Sequence, residues 1–454
     1  MKYESQKSLQ NPPRFQLIRK EAYLTLRLGL PIIAAQLLHM SMSFVDTVMS
    51  GNYGTLDLAA VALGSSLFYP IYALNGGILM AMSPIISHLY GARKFALIGK
   101  NVRQGLWLAL ILSIPAILAL RNLDFILILM GIPTDTQAIT SGYVNAIAWG
   151  LPGAFGFMAL RYFNESLGNS RPIMYVALIG LAFNIAGNNA LIYGRFGFPE
   201  LGAVGTGWAS AIVLWAMFIS LLIYTWSKKN YKRFNLFQNL RWPEKQYLGE
   251  ILRLGIPIGI SSTMEVTMFA LTALLMGSLG TLAVAGHQVA INIAALTFMI
   301  PFGLSSAITV RVGHALGRGS LTNARFAGFV GITLSVMIMT CTAILMFTFP
   351  GHITSIYTND PDVQSIAIGL IYMAAIFQIS DGLQVSGYGA LRGLKDTKIP
   401  MYVNLLAYWI IGLPLGYILG IYLKFGPQGL WIGLISGLSV AALLHNIRFN
   451  VLTK

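Results

Sequence analysis

The chain of 454 residues is too apolar for a soluble fold, since 56% of its residues are hydrophobic and only 10% are charged, against roughly 25% charged residues in an ordinary soluble domain. Its net charge of +15 would suit an acidic partner if the basic residues formed one surface. They instead recur in short clusters between apolar stretches of about 20 residues, the length that crosses a membrane as a helix. We therefore predict an all-helical integral membrane protein in contact with lipid, and we expect no nucleic-acid partner.

Apolar runs broken by Gly, Pro and charged residues predict twelve transmembrane helices. In chain order they cover residues 22–50, 58–90, 102–121, 138–160, 172–193, 203–226, 251–277, 283–312, 324–349, 364–390, 400–423 and 428–447. Several exceed 25 residues, which predicts tilted helices or helices that continue beyond the membrane. The first twenty residues are polar and basic, so we do not interpret them as a signal peptide.

Lys and Arg concentrate in every second connection between these spans. Of the 30 Lys and Arg residues, only Arg121, Arg195 and Lys424 fall in the other connections. Cytoplasmic loops carry this excess of basic residues in membrane proteins. The pattern predicts that both termini are cytoplasmic and that the number of spans is even.

An internal repeat organises the chain. LRLGLP at residues 26–31 recurs as LRLGIP at residues 252–257, and the same offset of 252 − 26 = 226 matches Gly51 with Gly277, Gly77 with Gly303, His88 with His314, and Gly91 with Gly317. Six spans separate the two copies, so both start on the same side and an axis along the membrane normal should relate them.

The repeat predicts two pseudo-symmetric six-helix lobes that face each other across a central cavity. We assign residues 1–21 to a cytoplasmic tail and residues 22–226 to the N-terminal lobe. Residues 227–250 form the basic, flexible linker, and residues 251–454 form the C-terminal lobe with a short tail. The lobes should rock as bodies and expose the cavity to each side in turn.

Three of the fifteen acidic residues lie deep inside predicted spans. They are Asp46 in SFVDTVMSG, Glu265 in SSTMEVTMF and Asp381 in FQISDGLQV. An ionisable group within a membrane helix costs about 2.5–3.5 kcal/mol on insertion scales, so such groups usually face a bundle interior or a watery cavity. The basic residues of the same spans, Arg27 and Arg253, lie several turns away. We therefore expect the three carboxylates to bind cations or protons.

Exchange follows from this placement, because a cavity carboxylate that holds a cationic compound cannot hold a coupling ion equally well. A proton needs only the carboxylate itself. A sodium ion at Glu265 and Asp381 would need several further oxygen ligands, as hard cations do. The coupling ion is therefore predicted to be H⁺ or Na⁺, with no other cofactor.

Five polar residues are candidates to support the acids. Asn184 and Asn188 are one turn apart on the fifth span, and Gln288 and Asn292 are one turn apart on the eighth. Each pair could supply ligand oxygens or simply join helices by hydrogen bonds. His39 lies two turns before the acid of the first span, on nearly the same face. It should face the same cavity and tune proton-coupled export, or else remain a neutral hydrogen-bonding residue.

Enzymatic motifs do not occur in the sequence. It contains no GxxxxGK[ST] phosphate loop, no HExxH metal motif and no GxSxG nucleophile elbow. We therefore expect a protein that is not an enzyme. The single cysteine, Cys341, lies in an apolar run and is interpreted as a small core residue.

Long motifs in order along the whole chain resemble the multidrug and toxic compound extrusion (MATE) transporters, and among them the NorM-like bacterial branch. They are FVDTVMSG at 44–51, NNALIYGRFGFPELGAVGTGWA at 188–209, GHQVAINIAAL at 286–296, RVGHALGRG at 311–319 and SDGLQVSGYGALRGLKDTKIPM at 380–401. The resemblance implies a monomer of the bacterial inner membrane with twelve helices in two lobes. It also implies an antiporter that extrudes organic cations, such as drugs and dyes, in exchange for Na⁺ or H⁺.

The same resemblance assigns cation binding to the carboxylates that match Asp46, Glu265 and Asp381. One departure concerns the residue one turn before the last acid. NorM-like proteins often have a tyrosine there, and this chain has Phe377, which lacks the hydroxyl.

Two other functions remain open at this point. Related folds include flippases for lipid-linked saccharides, but those usually carry cationic residues in the cavity, whereas the ionisable groups predicted deep within the spans are acidic here. A channel or membrane-embedded enzyme is the other alternative, which the two-lobe repeat does not favour. A requirement for an ion gradient would separate antiport from both.

Overall fold

The computed structural model describes residues 13–129, 131–236 and 242–454, and every regular element in these ranges is a helix. The α-helices in chain order are α1 (Arg14–Tyr53), α2 (Thr55–Met80), α3 (Met82–Gly91), α4 (Phe95–Arg121), α5 (Asp124–Leu129), α6 (Thr134–Ala148), α7 (Leu151–Ser166), α8 (Arg171–Leu191), α9 (Ala203–Ser227), α10 (Lys245–Gly277), α11 (Thr281–Gly317), α12 (Leu321–Thr348), α13 (Pro350–Ser355), α14 (Pro361–Gly393), α15 (Lys398–Asn404), α16 (Leu413–Tyr417) and α17 (Gly426–Leu452). The π-helical stretches Leu405–Gly412 and Ile418–Tyr422 lie on either side of α16.

The all-helical membrane fold predicted from the sequence is confirmed. Within the described ranges, eleven helical stretches are long and apolar enough to cross a membrane, and the pair α6 and α7, bent by 44°, supplies a twelfth. Each stretch overlaps one predicted span. The helices extend beyond several predicted ends, and α1 begins at Arg14, so residues 14–21 of the predicted tail form its first turns. Residues 1–12 of that tail lie outside the described ranges.

The helices pack in two groups, which are called the N-terminal lobe (α1–α9) and the C-terminal lobe (α10–α17) below. Among the described residues, one hydrophobic core lies mainly in the N-terminal lobe, two others lie within the C-terminal lobe, and a small fourth cluster joins α1 to α11. The lobes meet where α1, α2 and α3 pack against α10 and α11. The lobe boundaries proposed from the repeat are compatible with this packing and remain predictions.

Glycines allow the two lobes to approach closely. A Cβ atom on Gly77 of α2 would lie 2.5 Å from Cα of Gly259 on α10, and one on Gly91 of α3 would lie 3.1 Å from Cα of Gly317 on α11. Small residues at such crossings let helix backbones come into contact. These contacts occupy the half of the molecule that carries the basic connections, which is the predicted cytoplasmic half.

The first part of the predicted linker is packed onto the N-terminal lobe. Tyr231 and Phe234, in the short helical turn Lys229–Phe234, are buried, and the Tyr231 hydroxyl donates to Oδ1 of Asn164 at 2.8 Å. Burial raises the pKa of Tyr231 to about 12, so the hydroxyl remains a donor at neutral pH. This part of the linker is therefore held by specific contacts.

The last part of the linker also contacts the N-terminal lobe. Gln104 of α4 donates to the carbonyl of Trp242 at 3.2 Å and accepts from the backbone N–H of Glu244 at 2.9 Å. The ring of Trp242 stacks on Trp107, with centroids 6.1 Å apart. Residues 237–241, with the predicted linker residue Arg241, lie outside the described ranges.

Candidate cation sites in the two lobes

A cavity of about 260 Å³ in the N-terminal lobe contains the first predicted acid. Asp46, on α1, accepts hydrogen bonds at Oδ1 from the amides of Asn184 at 2.8 Å and Asn188 at 2.6 Å, both on α8. The Ser210 hydroxyl on α9 lies 3.2 Å from Oδ2. These three donors are neutral, so they orient an ionised carboxylate without cancelling its charge.

Asn184 and Asn188 are therefore brought beside Asp46 as their spacing predicted. Both side chains are buried, and their carbonyl oxygens have no hydrogen-bond partner among the described residues. Rotation of an amide exchanges its nitrogen and oxygen, which occupy nearly the same positions. Asn184, Asn188 and Ser210 can therefore present either hydrogen-bond donors to the ionised carboxylate of Asp46 or ligand oxygens to a hard cation bound there.

His39 lines the same cavity as Asp46, as the two-turn spacing predicted. Its Nε2 atom is buried and has no hydrogen-bond partner in the described part of the chain. The centroids of the His39 and Phe157 rings lie 6.0 Å apart. The structure therefore places a titratable side chain in the cavity, but not in the hydrogen-bond set of Asp46. Its role in coupling remains a prediction.

A buried ion pair in this cavity was missed by the sequence analysis. Arg161 lines the cavity and is only 7% exposed, although the charge count placed it in a cytoplasmic connection. Its Nε donates to Oε1 of Glu165 at 2.7 Å, and it also donates to Gln36 at 3.0 Å. The only signal in the sequence was the i, i+4 spacing of opposite charges on one helix.

A larger cavity, of about 420 Å³, belongs mainly to the C-terminal lobe. Glu265 of α10 and Asp381 of α14 both line it, with Ala73 of α2 at its edge. Asp381 is only 1% exposed, and its Oδ2 atom has no hydrogen-bond partner among the residues that the structure describes. Two predicted acids from different helices thus share one site.

Apolar and aromatic side chains make up most of the remaining lining of this cavity. They include Phe269, Phe298, Phe302 and Phe377. The ring centroid of Phe377 lies 6.1 Å from that of Phe269 and 5.9 Å from that of Trp431. The residue that stands in place of a tyrosine therefore lines the cavity of the two acids and offers them no hydroxyl.

Gln288 and Asn292 are not brought to the acids in the same way. Gln288 is exposed and donates to Oδ1 of Asn292 at 3.2 Å. Within the described ranges, neither is among the side chains that line the cavity of Glu265 and Asp381. This hydrogen bond lies within one helix, so it is not the contact between helices that was the alternative prediction, and a role as ligands stays a prediction.

Arg392 is a second buried cation that the charge count placed in a connection. It lies in the last turn of α14, is only 4% exposed, and donates to the Ser305 hydroxyl at 2.7 Å. It also contacts the sulfur of Met80 in the other lobe. Cys341, interpreted as a core residue, is instead exposed, because its face of α12 points away from the lobe.

Comparisons with known proteins agree with this architecture. The MatE family profile matches residues 31–189 and 257–418. The probable multidrug resistance protein NorM of Idiomarina loihiensis is 41% identical over 428 residues, covering 93% of each chain. The multidrug resistance protein NorM of Aliivibrio fischeri is 39% identical over 434 residues, covering 95% of this chain and 94% of the relative.

Solved structures share the same fold. An outward-facing multidrug resistance MATE family transporter of the MOP superfamily superposes with a TM-score of 0.88 at 20% identity, over 96% of this chain and 97% of the other. The eukaryotic MATE transporter AtDTX14 gives a TM-score of 0.87 at 22% identity, over 95% and 96%. The family profile and the NorM relatives span most of the sequence, so this multi-pass membrane chain belongs to the MatE family and to its NorM-like members.

Proposed function

We propose that this protein is a secondary active multidrug efflux antiporter that exports organic cations in exchange for H⁺ or Na⁺ by alternating access. The family and the names of the NorM relatives support multidrug efflux. The observation that carries the antiport proposal is the cavity of about 420 Å³ that Glu265 and Asp381 both line, together with several aromatic rings.

The chemistry of this cavity suits a flat hydrophobic cation. Phenylalanine rings such as Phe269, Phe298 and Phe302 bury apolar surface and attract positive charge to their faces. Two carboxylates in one apolar cavity repel each other when both are ionised. A bound cation or a proton relieves that repulsion, so drug and coupling ion compete for the same charge.

The oxygens available differ between the two cavities. The lining of the C-terminal cavity supplies the carboxylates of Glu265 and Asp381 and the Ser262 hydroxyl, which are few ligands for Na⁺. A proton needs no additional ligand. In the N-terminal cavity, Asn184 and Asn188 can add two amide oxygens beside Asp46. We therefore propose proton exchange at the C-terminal acids, and Asp46 as the better candidate for Na⁺.

One observation favours the flippase alternative, namely the guanidinium of Arg161 in the N-terminal cavity. A cavity arginine would suit a phosphate group. Glu165 already pairs with this arginine at 2.7 Å, however, and Asp46 lies in the same cavity. Export of organic cations therefore remains the function that the charges support better.

Efflux from proteoliposomes tests the proposal. The purified protein is reconstituted, a fluorescent organic cation is loaded, and a pH gradient or a Na⁺ gradient is imposed separately. We expect transport that follows one of the two gradients and stops when an ionophore removes it. Equal transport without any gradient would contradict antiport and favour a channel, whereas movement of a lipid-linked substrate alone would favour a flippase.

A further inference from the structure

Two histidine hydrogen bonds join the lobes on the predicted cytoplasmic side and have no part in the cation sites. His88, on α3, has Nε2 2.8 Å from the carbonyl oxygen of Gly393, the last residue of α14. His314, on α11, has Nε2 2.7 Å from the carbonyl oxygen of Ser166, the last residue of α7. Each bond therefore runs from a histidine in one lobe to a helix end in the other.

The two bonds are copies of each other within the repeat. The histidines are 314 − 88 = 226 residues apart, and the accepting residues are 393 − 166 = 227 residues apart. The turns that follow the accepting helices also correspond, since Gly168 and Lys395, again 395 − 168 = 227 residues apart, both have positive φ angles, of 79° and 62°. The pseudo-twofold relation thus places an equivalent bond on each side of the lobe interface.

Helix ends explain why these carbonyl groups accept a side chain. The last carbonyls of a helix have no partner within it and must be satisfied from outside. A carbonyl only accepts, so each histidine must carry its hydrogen on Nε2. His314 is 7% exposed and His88 is half-buried, so water competes little for either bond.

Glycines fix the helices directly next to these histidines. Each histidine begins a His-x-x-Gly sequence, HLYG at 88–91 and HALG at 314–317. A Cβ atom on Gly91 would lie 2.4 Å from the carbonyl oxygen of His314, and one on Gly317 would lie 2.2 Å from that of His88. The backbones of α3 and α11 are therefore in contact, and any separation of the lobes at this point must also break both histidine bonds.

We propose that His88 and His314 form a two-part latch that holds the predicted cytoplasmic side of the transporter closed, and that both bonds break whenever the central cavity opens to that side. The proposal rests on alternating access, which is part of the proposed function. It assigns the two residues a positioning role in the conformational cycle, with no contact to cargo or coupling ion.

Cysteine accessibility measures the state of this latch. Ser87 is fully buried next to His88, and its hydroxyl has no hydrogen-bond partner among the described residues. A Cβ atom on Gly313 of the other lobe would lie 2.7 Å from Cβ of Ser87. The reporter is Ser87→Cys in a Cys341→Ser background, and it is labelled with a membrane-impermeant maleimide only when the interface opens.

The latch predicts different labelling rates for two substitutions of each histidine. His88→Ala and His314→Ala should raise the labelling rate about fivefold each, the effect of losing a typical net hydrogen bond. His88→Gln and His314→Gln should label close to the parent rate, because the Gln amide can donate to the same carbonyl. His352→Ala, at an exposed histidine of α13, is the control and should leave the rate unchanged.

Two outcomes would overturn the latch. One is parent-like labelling of both Ala variants, and the other is labelling of the Gln variants as fast as the Ala variants, which would indicate packing rather than a hydrogen bond. If an Ala variant does not purify in a folded form, Asn takes its place, because its amide is too short to reach the carbonyl. Labelling needs no drug transport, so a latch that responds as expected in a protein without cation efflux would refute the proposed function alone.

Discussion

Asp381 and Glu265 line the same cavity, but their side chains differ in burial. Asp381 is almost wholly buried, while Glu265 is half-buried in the lining of the same cavity. Neither acid forms an ion pair within the described ranges. Their charges therefore contribute little to holding helices together, and they are available for exchange.

Neutralising these acids should separate transport from folding. Asp381→Asn and Glu265→Gln are expected to abolish gradient-driven efflux, because each removes the charge for which cargo and ion compete. Both variants should keep the thermal unfolding temperature of the parent or exceed it. Asp362→Asn, at an exposed acid of α14, is the matched control for efflux from proteoliposomes. Full drug resistance in both variants would contradict a role for the acids.

His39 gives a prediction about pH. It shares its cavity with Asp46, Tyr69, Tyr72 and the paired Arg161, so its protonation would change the charge that a cation meets there. His39→Gln is expected to shift the pH dependence of efflux without abolishing transport. The measurement is the efflux rate from proteoliposomes over a pH series at constant drug concentration. An unchanged profile would reduce His39 to a packing residue.

The sequence predicted individual residues well where a residue was unusual for its surroundings. A carboxylate inside an apolar run stands out, which is why Asp46, Glu265 and Asp381 could be found. Arg161 and Arg392 could not, because basic residues near span ends look like ordinary cytoplasmic loop residues. Only tertiary contacts, with Gln36 of α1 in one case and Ser305 of α11 in the other, show that they are buried.

The helices themselves were predicted from apolar length, and their ends were less predictable. The chain continues as helix into the polar connections, as at α1 and at α10, which begins at Lys245. Apolar length reports the thickness of the membrane, and it does not report where the helix stops. The bend of 44° between α6 and α7 was likewise not visible in the apolar pattern, although Gly150 and Pro152 lie at it.

Close helix crossings give a prediction about stability. A Cβ atom on Gly433 of α17 would lie 2.4 Å from Cα of Gly416 on α16, whereas one on Gly249 of α10 would meet no described atom within 4 Å. Gly433→Ala should therefore lower stability by about 1–3 kcal/mol. Gly249→Ala should be neutral or slightly stabilising, since Ala favours the helix. Thermal unfolding in detergent compares the two, and equal melting temperatures would contradict the tight crossing.

The whole molecule follows from the repeat, since two copies of a six-helix unit predict two lobes around an interface. Which half of that interface is closed could not be predicted from the sequence. The choice depends on contacts between residues far apart in the chain, such as the double hydrogen bond from Arg311 to Glu21 at 2.7 and 2.6 Å. Alternative states of one chain share a single sequence, so only the structure selects between them.

Rocking of the lobes gives a prediction at the opposite rim. Tyr53, the last residue of α1, is exposed, and Leu279 follows the end of α10 at the equivalent repeat position. Cys residues introduced at both positions in the Cys341→Ser background and joined by a bifunctional reagent should stop efflux. Cleavage of a reducible cross-linker in the same sample should restore efflux. Undiminished turnover in a verified cross-linked protein would exclude rocking.

The contacts of the linker have a mechanical consequence. Residues on both sides of positions 237–241 are bound to the N-terminal lobe, up to Glu244. Glu250, 250 − 244 = 6 residues farther on, already pairs with Lys395 of the C-terminal lobe at 2.8 Å. The joint between the lobes is thus confined to the first turns of α10, around Gly249. A small rotation of α10 about that end would then become a larger displacement of Glu265, which lies farther along the helix.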